Sequence, residues 1–234
     1  HVAREPAAFA GEMRQLMALT RRHFHLLDGG EYSIEVDPRK VDHATVDLLA
    51  ELGFNRMSLG VQDFDETVQR AVNRIQSEEE SLAVIDAARA NGFKSISIDL
   101  IYGLPFQTID TIKETIETVI QLQPNRIAFY SYAHVPWTKK SQRAYDENDL
   151  PKGKDKYALY ELGKQLFINA NYKDVGMDHF ALENDGLLIS KQKGLLHRNF
   201  MGYTTTNTEV LIGLGVSAIS DVFYGFRQNY KTVE

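Results

Sequence analysis

The chain contains no cysteine. Its 234 residues therefore contain no disulfide, no cysteine-ligated zinc and no cysteine-held iron–sulfur cluster. Positive charge is also in deficit, because 26 Lys and Arg face 32 Asp and Glu and leave a formal net charge of −6. This balance argues against general binding to nucleic acid, which needs clustered Lys and Arg.

Long apolar runs are missing as well, since none approaches the roughly 20 residues that span a bilayer. Residues 1–10 lack a basic start followed by an apolar segment, so no signal peptide is indicated. The expectation is a monomeric cytoplasmic protein that acts on small molecules and has no membrane or nucleic-acid partner. A hydrophobic fraction of 43% is sufficient for one substantial core.

Short β-prone segments alternate with helical ones along the chain. Strands are predicted at Ser33–Val36, Asn55–Val61, Ser95–Ile101, Arg126–Tyr132 and Tyr172–Met177. Helices are predicted at Asp42–Leu52, Ser77–Asn91, Thr108–Leu122 and Lys156–Ala170. This order is typical of βα modules in a parallel sheet.

A local pattern recurs where three of these helices end. Gly53-Phe54-Asn55, Gly92-Phe93-Lys94 and Asn171-Tyr172-Lys173 each lead from a helix-ending residue through an aromatic into a strand. Gly and Asn accept the left-handed conformation that such ends require. The repeat favours an α/β fold in which successive βα modules form a barrel of parallel strands, complete or partial. A doubly wound open sheet is the alternative, disfavoured because no Gly-x-Gly-x-x-Gly turn follows an early strand.

Polar residues collect at the predicted strand ends, where ligands bind in both architectures. Asp99 interrupts an apolar strand, and a buried acid needs a partner, so we predict a ligand-facing or network role for it. Glu35 lies in a strand-like run and is balanced between a ligand role and a structural one. Asp37 and Asp63 are expected to cap helices or begin turns.

The functional role of two histidines and of a pair of glycines is left open by the sequence. His179 follows the fifth predicted strand, and His197 lies in a polar segment among aromatics. Each is open to being a proton donor, an anion contact or a surface residue. The segment Gly213–Ser217 has alternating glycines and indicates a tight turn before a short helix more than a phosphate loop.

Longer strings resemble the radical SAM oxidases of porphyrin synthesis and their relatives. They are Ser33–Arg39, Leu59–Phe64, Asp99–Thr108 and Gly213–Ser220. A second group resembles the oxygen-independent coproporphyrinogen III oxidase branch in particular. It comprises Tyr132–Pro136, Gly176–Ala181, His197–Phe200 and Gly202–Thr205. The resemblance extends over roughly residues 33–220.

The resemblance implies a partial (β/α)6 TIM-like barrel of parallel strands that lacks its first strand or strands. Such a barrel binds S-adenosylmethionine (SAM) at a [4Fe–4S] cluster. Cleavage of SAM would yield a 5′-deoxyadenosyl radical, which takes a hydrogen from a substrate propionate. Loss of CO₂ and of one further electron would leave a vinyl group. Two rounds would convert coproporphyrinogen III to protoporphyrinogen IX in haem biosynthesis. The implied partners are the tetrapyrrole substrate and an electron-donor protein.

Site residues follow from the same resemblance, position by position. Glu35, Ala133 and Ile219 match contacts to the cluster-bound SAM. Gln62, Arg74 and Asp99 match contacts to a second SAM. Arg74 suits a methionyl carboxylate, because its guanidinium presents a fork of donors. No catalytic residue and no metal ligand is assigned within the chain.

Two family features, the three-cysteine loop and the Gly-Gly-Gly-Thr-Pro segment, are not found here. We therefore expect a fragment, inactive alone, in which residues 1–234 form the radical SAM domain and residues 171–234 extend its barrel. A haem-binding chaperone of similar fold, with His179 or His197 as axial ligand, is the alternative function. A metal-dependent hydrolase is weaker, because only Asp178-His179 suggests converging ligands.

Overall fold

The structure, a computed structural model, describes residues 6–199 and 202–232. The chain divides into two compact units, His1–Asp185 and Gly186–Glu234. The division falls C-terminal to residue 171, where the sequence suggested that an extension begins. The role of residues 171–234 as a barrel extension stays a prediction.

The first unit alternates strands and helices. Its helices are α1 (Pro6–His23), α2 (His43–Glu51), α3 (Glu66–Ala71), α4 (Glu78–Ala90), α5 (Ile109–Leu122) and α6 (Gly153–Asn169). Its strands are β1 (Ser33–Val36), β2 (Arg56–Gln62), β3 (Ser95–Tyr102), β4 (Arg126–Ser131), β5 (Lys173–Gly176) and β6 (His179–Ala181). The five strands and four helices predicted from the sequence are confirmed. The helices α1 and α3 and the strand β6 are additional.

The six strands form one mixed sheet in the order β1-β2-β3-β4-β6-β5. Strands β1 to β4 are parallel neighbours in chain order. The expectation of an entirely parallel sheet is wrong at its far edge, because β6 pairs antiparallel with both β4 and β5. Only Met177 and Asp178 separate β5 from β6. A connection that short permits only an antiparallel hairpin.

The recurrent helix-ending pattern is confirmed. The residues Gly53, Gly92 and Asn171 have φ values of 94°, 74° and 71°, so each reverses the chain in the left-handed region. Tyr172, the third aromatic, is buried and donates its hydroxyl to the carbonyl of Pro124. The turns thus lock each helix against the strand that follows.

The two faces of the sheet differ in what they bury. On β2, Met57, Leu59 and Val61 are fully buried, whereas the residues between them are half-exposed. Strand β3 has the same alternation around the buried Ile98 and Leu100. The helices α2, α4, α5 and α6 contact one another in chain order, so they cover the apolar face. A doubly wound sheet carries helices on both faces, which disfavours that alternative.

The second unit contains α7 (Gly186–Gln192) and short antiparallel strands. These are β7 (His197–Asn199), β8 (Gly202–Thr204), β9 (Val210–Leu211), β10 (Ile219–Val222) and β11 (Gly225–Gln228). The turn at Gly213–Ser217 is confirmed, but a strand and not a helix follows it, because β10 pairs with β9 and β11. No helix within 6–199 or 202–232 has the length and apolar character to cross a membrane.

Candidate active site

The open face of the sheet is polar along a row of paired residues. In the parallel register Glu35 lies opposite Ser58, Gly60 opposite Asp99, and Asp99 opposite Ala128. Side chains of directly paired residues point to the same face of a sheet. Glu35 and Asp99 therefore share the face opposite the one that α2, α4, α5 and α6 cover.

Asp99 keeps acceptor capacity on this face. Its Oδ1 accepts a hydrogen bond of 3.1 Å from the Ser58 hydroxyl. Burial raises the pKa of Asp99 to about 6; the Ser58 hydrogen bond opposes this shift, and the nearby Glu35 carboxylate adds to it. A half-buried carboxyl with one protein donor can accept further hydrogen bonds from a ligand's hydroxyl or ammonium groups.

Gly60 is the point where two other predicted residues meet. A Cβ built on Gly60 would lie 3.0 Å from Gln62 Nε2 and 3.1 Å from a terminal nitrogen of Arg74. That terminal nitrogen donates to the Gly60 carbonyl. A register shift between Gly60 and Gln62, with Gln62 at φ 73°, turns the amide back over the glycine. Gln62, Arg74 and Asp99 are thus brought together at adjoining positions.

The charge of Arg74 is incompletely compensated. Its terminal nitrogen lies 3.5 Å from Asp37 Oδ1, and its Nε is buried without a hydrogen-bond partner. Asp37 is held more tightly by Arg39, at 2.6 Å, and this contact keeps the pKa of Asp37 below its usual range. Burial lowers the pKa of Arg74. Asp37 also accepts from the Arg39 backbone N–H, so its predicted capping role is confirmed.

Tyr130 was not predicted and belongs to the same face. Its partner on β3 is Ile101, two residues beyond Asp99. Burial raises the pKa of the Tyr130 phenol to about 12, and the charges of Asp99 and Glu35 contribute. The phenol is therefore a protonated hydrogen-bonding group among carboxylates. Tyr130 lies two residues after Ala128 on β4, so the alternation of side chains along a strand puts both on the same face. The sequence alone did not show that this face carries the site.

Ala133 and Ile219 stand apart from the row. Ala133 is exposed in the segment after β4, where its carbonyl accepts from Gln142 Nε2 at 3.2 Å. Lys156 Nζ supports the same segment by donating to the carbonyl of Tyr132 at 2.7 Å. Ala133 thus follows a strand end on the same edge as Tyr130. Ile219 begins β10 in the second unit and is described only within that unit.

Asp63 begins a turn, as predicted, but is also the centre of a buried network. It accepts hydrogen bonds from Thr115 Oγ1 at 2.7 Å, Gln107 Nε2 at 2.5 Å and the Asp65 N–H at 2.7 Å. Gln107 in turn accepts from the Gly103 N–H at 2.6 Å. Burial raises the pKa of Asp63. The network joins the ends of β2 and β3 to α5, and so fixes the edge that carries the site.

Residues 3–119 match the model of the radical SAM superfamily. The chain belongs to the radical SAM superfamily. The oxygen-independent coproporphyrinogen III oxidase of Pseudomonas aeruginosa is 48% identical over 95% of this chain and 49% of its own length. That of Escherichia coli is 43% identical over 95% of this chain and 49% of its own length.

A solved structure shows the same radical SAM fold. The E. coli coproporphyrinogen III oxidase superposes with a TM-score of 0.92 and 43% identity, over 95% of this chain and 51% of the other. The chain thus spans about half the length of the relatives that it matches. Membership of the family implies SAM and a [4Fe–4S] cluster as cofactors.

The site residues fit one of these cofactors and not the other. Asp99 has spare acceptor capacity and Arg74 a buried N–H without a partner, which suits the amino, hydroxyl and carboxylate groups of SAM. A cluster needs thiolates, and the chain has none. Across 6–199 and 202–232 no group of three or more His, Asp or Glu could hold a metal ion. These residues therefore do not fit the cluster.

Proposed function

We propose that the protein to which this chain belongs is an oxygen-independent coproporphyrinogen III oxidase. Each of two substrate propionates loses CO₂, a hydrogen atom to the radical derived from SAM and one electron to an acceptor, and becomes a vinyl group, giving protoporphyrinogen IX. The observation that carries the proposal is the convergence of Glu35, Gln62, Arg74 and Asp99 on one sheet face, in a chain 48% identical to such an oxidase. The reaction takes place in the cytoplasm, in a monomer that an electron-donor protein reduces.

SAM supplies the hydrogen-abstracting chemistry, and this chain supplies its binding. Glu35 and Ala133 hold the reacting SAM, and the assignment of Ile219 to a SAM contact stays a prediction from the sequence. Glu35 accepts from sugar hydroxyls or the ammonium group. Gln62, Arg74 and Asp99 hold a second SAM beside it, and the Arg74 fork receives the methionyl carboxylate.

The architecture proposed for this site is a partial six-stranded barrel. Two facts support it: α2, α4, α5 and α6 cover one face of the sheet, and the polar row Glu35–Ser58 and Gly60–Asp99 lies on the other face. In a barrel this second face is the interior, and ligands enter at the carboxyl ends of its strands. The one-sided cover therefore supports the proposal that the polar row faces the interior of a barrel.

The test is turnover by the full-length protein. The protein is purified without oxygen, supplied with coproporphyrinogen III, SAM and a reductant, and assayed for protoporphyrinogen IX. We expect two CO₂ per product and at least tenfold weaker SAM binding by Asp99→Asn and Glu35→Gln. SAM affinity that is unchanged in both variants by calorimetric titration would contradict the site assignment.

The same preparation separates the proposed oxidase from a haem-carrying protein. A haem carrier would give a haem absorption spectrum with no SAM-dependent decarboxylation, and His179→Asn or His197→Asn would abolish that spectrum. The oxidase would release CO₂ only when SAM and reductant are both present. Product formation without SAM would exclude the proposed chemistry.

A further inference from the structure

The connection from β4 to α6 folds back on the strand end that carries Ala133. It comprises residues 132–152, and connections longer than about 12–15 residues in a compact domain often bind ligands or cover a site. The N–H groups of Thr138 and Lys139 both donate to the Val135 carbonyl at 2.9 Å, so the chain reverses just beyond Ala133. The short 3₁₀ helix Lys140–Arg143 follows, and its side chains return to residues 133–136.

Gln142, in this 3₁₀ helix, bonds the backbone at two points of the strand end. Its Oε1 accepts from the Val135 N–H at 2.5 Å, and its Nε2 donates to the Ala133 carbonyl at 3.2 Å. An N–H only donates and a carbonyl only accepts, so the two bonds fix the orientation of the amide. Both bonds form together only when Ala133 and Val135 keep one spacing. Gln142 therefore fixes the backbone of residues 133–135.

The backbone of Ala133 has polar groups left for a ligand, whereas its neighbours Tyr132 and Val135 use both of theirs. Tyr132 donates its N–H to the Tyr102 carbonyl at 2.9 Å, and its own carbonyl accepts from Lys156 Nζ at 2.7 Å. The Ala133 N–H has no acceptor among the residues that the structure describes, and the residue is exposed. The Ala133 carbonyl keeps one lone pair beyond the Gln142 bond. A donor and an acceptor are thus held at the carboxyl edge of β4.

Two further side chains attach the same connection to the strand end. Arg143 Nε donates to the Pro136 carbonyl at 2.9 Å, and the hydroxyls of Tyr145 and Tyr132 form a hydrogen bond. Neither bond reaches the backbone of residues 133–135. Removal of the Gln142 amide would therefore leave the connection attached but release the Ala133 carbonyl. Gln142 thus acts on the position of Ala133 more than on the attachment of the loop.

We propose that Gln142 is a positioning residue for the reacting SAM and acts through the backbone of Ala133. The inference rests on the proposed oxidase function, which assigns Ala133 to that SAM, and it deepens the assignment. The chemistry recognised is an adenine edge, in which a ring nitrogen accepts and the amino group donates. The Ala133 N–H matches the ring nitrogen, and the Ala133 carbonyl matches the amino group.

The experiment uses the full-length, cluster-loaded protein without a reductant, so that SAM binds but is not cleaved. Calorimetric titration measures the Kd of SAM, and fluorescence titration measures the Kd of coproporphyrin III, the oxidised form of the substrate, which cannot react. We expect Gln142→Ala to weaken SAM binding at least fivefold and to keep coproporphyrin III binding within twofold of wild type. The matched control is Gln165→Ala, which removes an exposed amide bonded to Asn169 at 2.8 Å and should match wild type in both titrations.

Gln142→Glu supplies a second readout, which a general loss of structure would not produce. Its carboxylate still accepts from the Val135 N–H, but its other oxygen opposes the Ala133 carbonyl, and two acceptors repel each other. This repulsion raises the pKa of the introduced carboxyl, and protonation restores a donor to Ala133. The ratio of the SAM Kd of Gln142→Glu to that of wild type should therefore fall at least twofold from about pH 8 to about pH 5. Division by the wild-type value removes the titration of Asp99, and the ratio for Gln142→Ala should stay constant.

Three outcomes would overturn the assignment. The first is unchanged SAM binding in Gln142→Ala. The second is equal weakening of SAM and coproporphyrin III binding, because Gln142 would then support the site as a whole. The third is a Gln142→Glu ratio that does not change with pH, and this readout decides the matter if Gln142→Ala fails to fold. Absence of coproporphyrinogen turnover in the wild type would instead refute the proposed function.

Discussion

Ser58 donates a hydrogen bond of 3.1 Å to Asp99 across two parallel strands, and no second donor to that carboxyl is found in 6–199 or 202–232. The hydroxyl lowers the pKa of Asp99, yet burial outweighs it. The fold therefore holds an acid whose charged form is only partly solvated. The free energy of its charged form therefore depends on the hydrogen-bond donors that the carboxyl meets.

Asp99 should make the ligand-free protein less stable as the pH rises. Its folded pKa of about 6 exceeds the unfolded value of about 3.9, so between these values the folded state binds the extra proton. The stabilisation is complete below the unfolded pKa and is lost as the pH passes the folded one. Between pH 4 and pH 7.5 we expect the free energy of unfolding of Asp99→Asn to rise by on the order of 1–3 kcal/mol relative to that of wild type. Urea unfolding at both pH values measures it.

Glu35→Gln is the companion to this measurement. The Glu35 carboxylate raises the pKa of Asp99, so its removal should move the transition to lower pH without abolishing it. The prediction is contradicted if the difference in free energy of unfolding between Asp99→Asn and wild type is the same at both pH values. Burial would then not raise the pKa of the Asp99 carboxyl.

Thr115→Val should destabilise the first unit through Asp63. The substitution keeps the shape of the side chain but removes the hydroxyl that donates to Asp63 at 2.7 Å and accepts from the Phe64 N–H at 3.1 Å. Both Asp63 and Thr115 are about 1% exposed, so water cannot replace the lost bonds. We expect a loss of about 2–4 kcal/mol by chemical denaturation. Thr118→Val, half-buried on the same helix, should cost under about 1 kcal/mol.

The sequence was sufficient to predict the local helices and strands of this fold, but not the long-range pairing of its strands. The helix ends at Gly53 and Gly92 depend on a few neighbouring residues, and both are confirmed. The strand His179–Ala181 is three residues long and has no pattern of its own. Its place beside β4 is decided by a tight turn and by residues about 50 positions away.

The candidate site shows the same division. An acid in an apolar strand required a partner, which predicted that Asp99 would be bonded or ligand-facing. That the partner is Ser58 depends on the register of β2 against β3, which no local pattern encodes. Asp63 looked like a turn residue because its Asp65 contact is local, whereas Thr115 and Gln107 reach it only in the folded chain.

The pair Arg126–Asp185 should be a stability determinant at the edge opposite the site. Arg126 Nε lies 2.7 Å from Asp185, whose side chain is 1% exposed, and Ser95 donates to the same carboxylate at 3.2 Å. Asp185→Asn leaves the guanidinium without its buried counter-charge, so we expect a loss of about 3–5 kcal/mol. Glu66→Gln, in the exposed pair with Arg70, should cost about 0–0.5 kcal/mol. Equal effects of the two substitutions would contradict this role of burial.

Gly60→Ala should separate binding from stability at the centre of the site. The backbone of Gly60 lies outside the left-handed region, so alanine meets no φ penalty there. The new methyl group would lie 3.0 Å from Gln62 Nε2 and 3.1 Å from Arg74, closer than nearly all real contacts of a Cβ. Both side chains must move, and both are proposed to hold the second SAM.

In the full-length protein we therefore expect Gly60→Ala to weaken SAM binding at least tenfold, with a free energy of unfolding within about 1 kcal/mol of wild type. Gly11→Ala is the matched control, because its Cβ meets nothing within 4 Å on α1 and a Gly to Ala change there stabilises the helix by about 1 kcal/mol. Calorimetric titration measures the SAM affinity of both variants, and urea unfolding measures their free energy of unfolding. Undiminished SAM binding in Gly60→Ala would mean that Gln62 and Arg74 reach the ligand from positions that a methyl group does not obstruct, and the convergence at Gly60 would then have no part in binding.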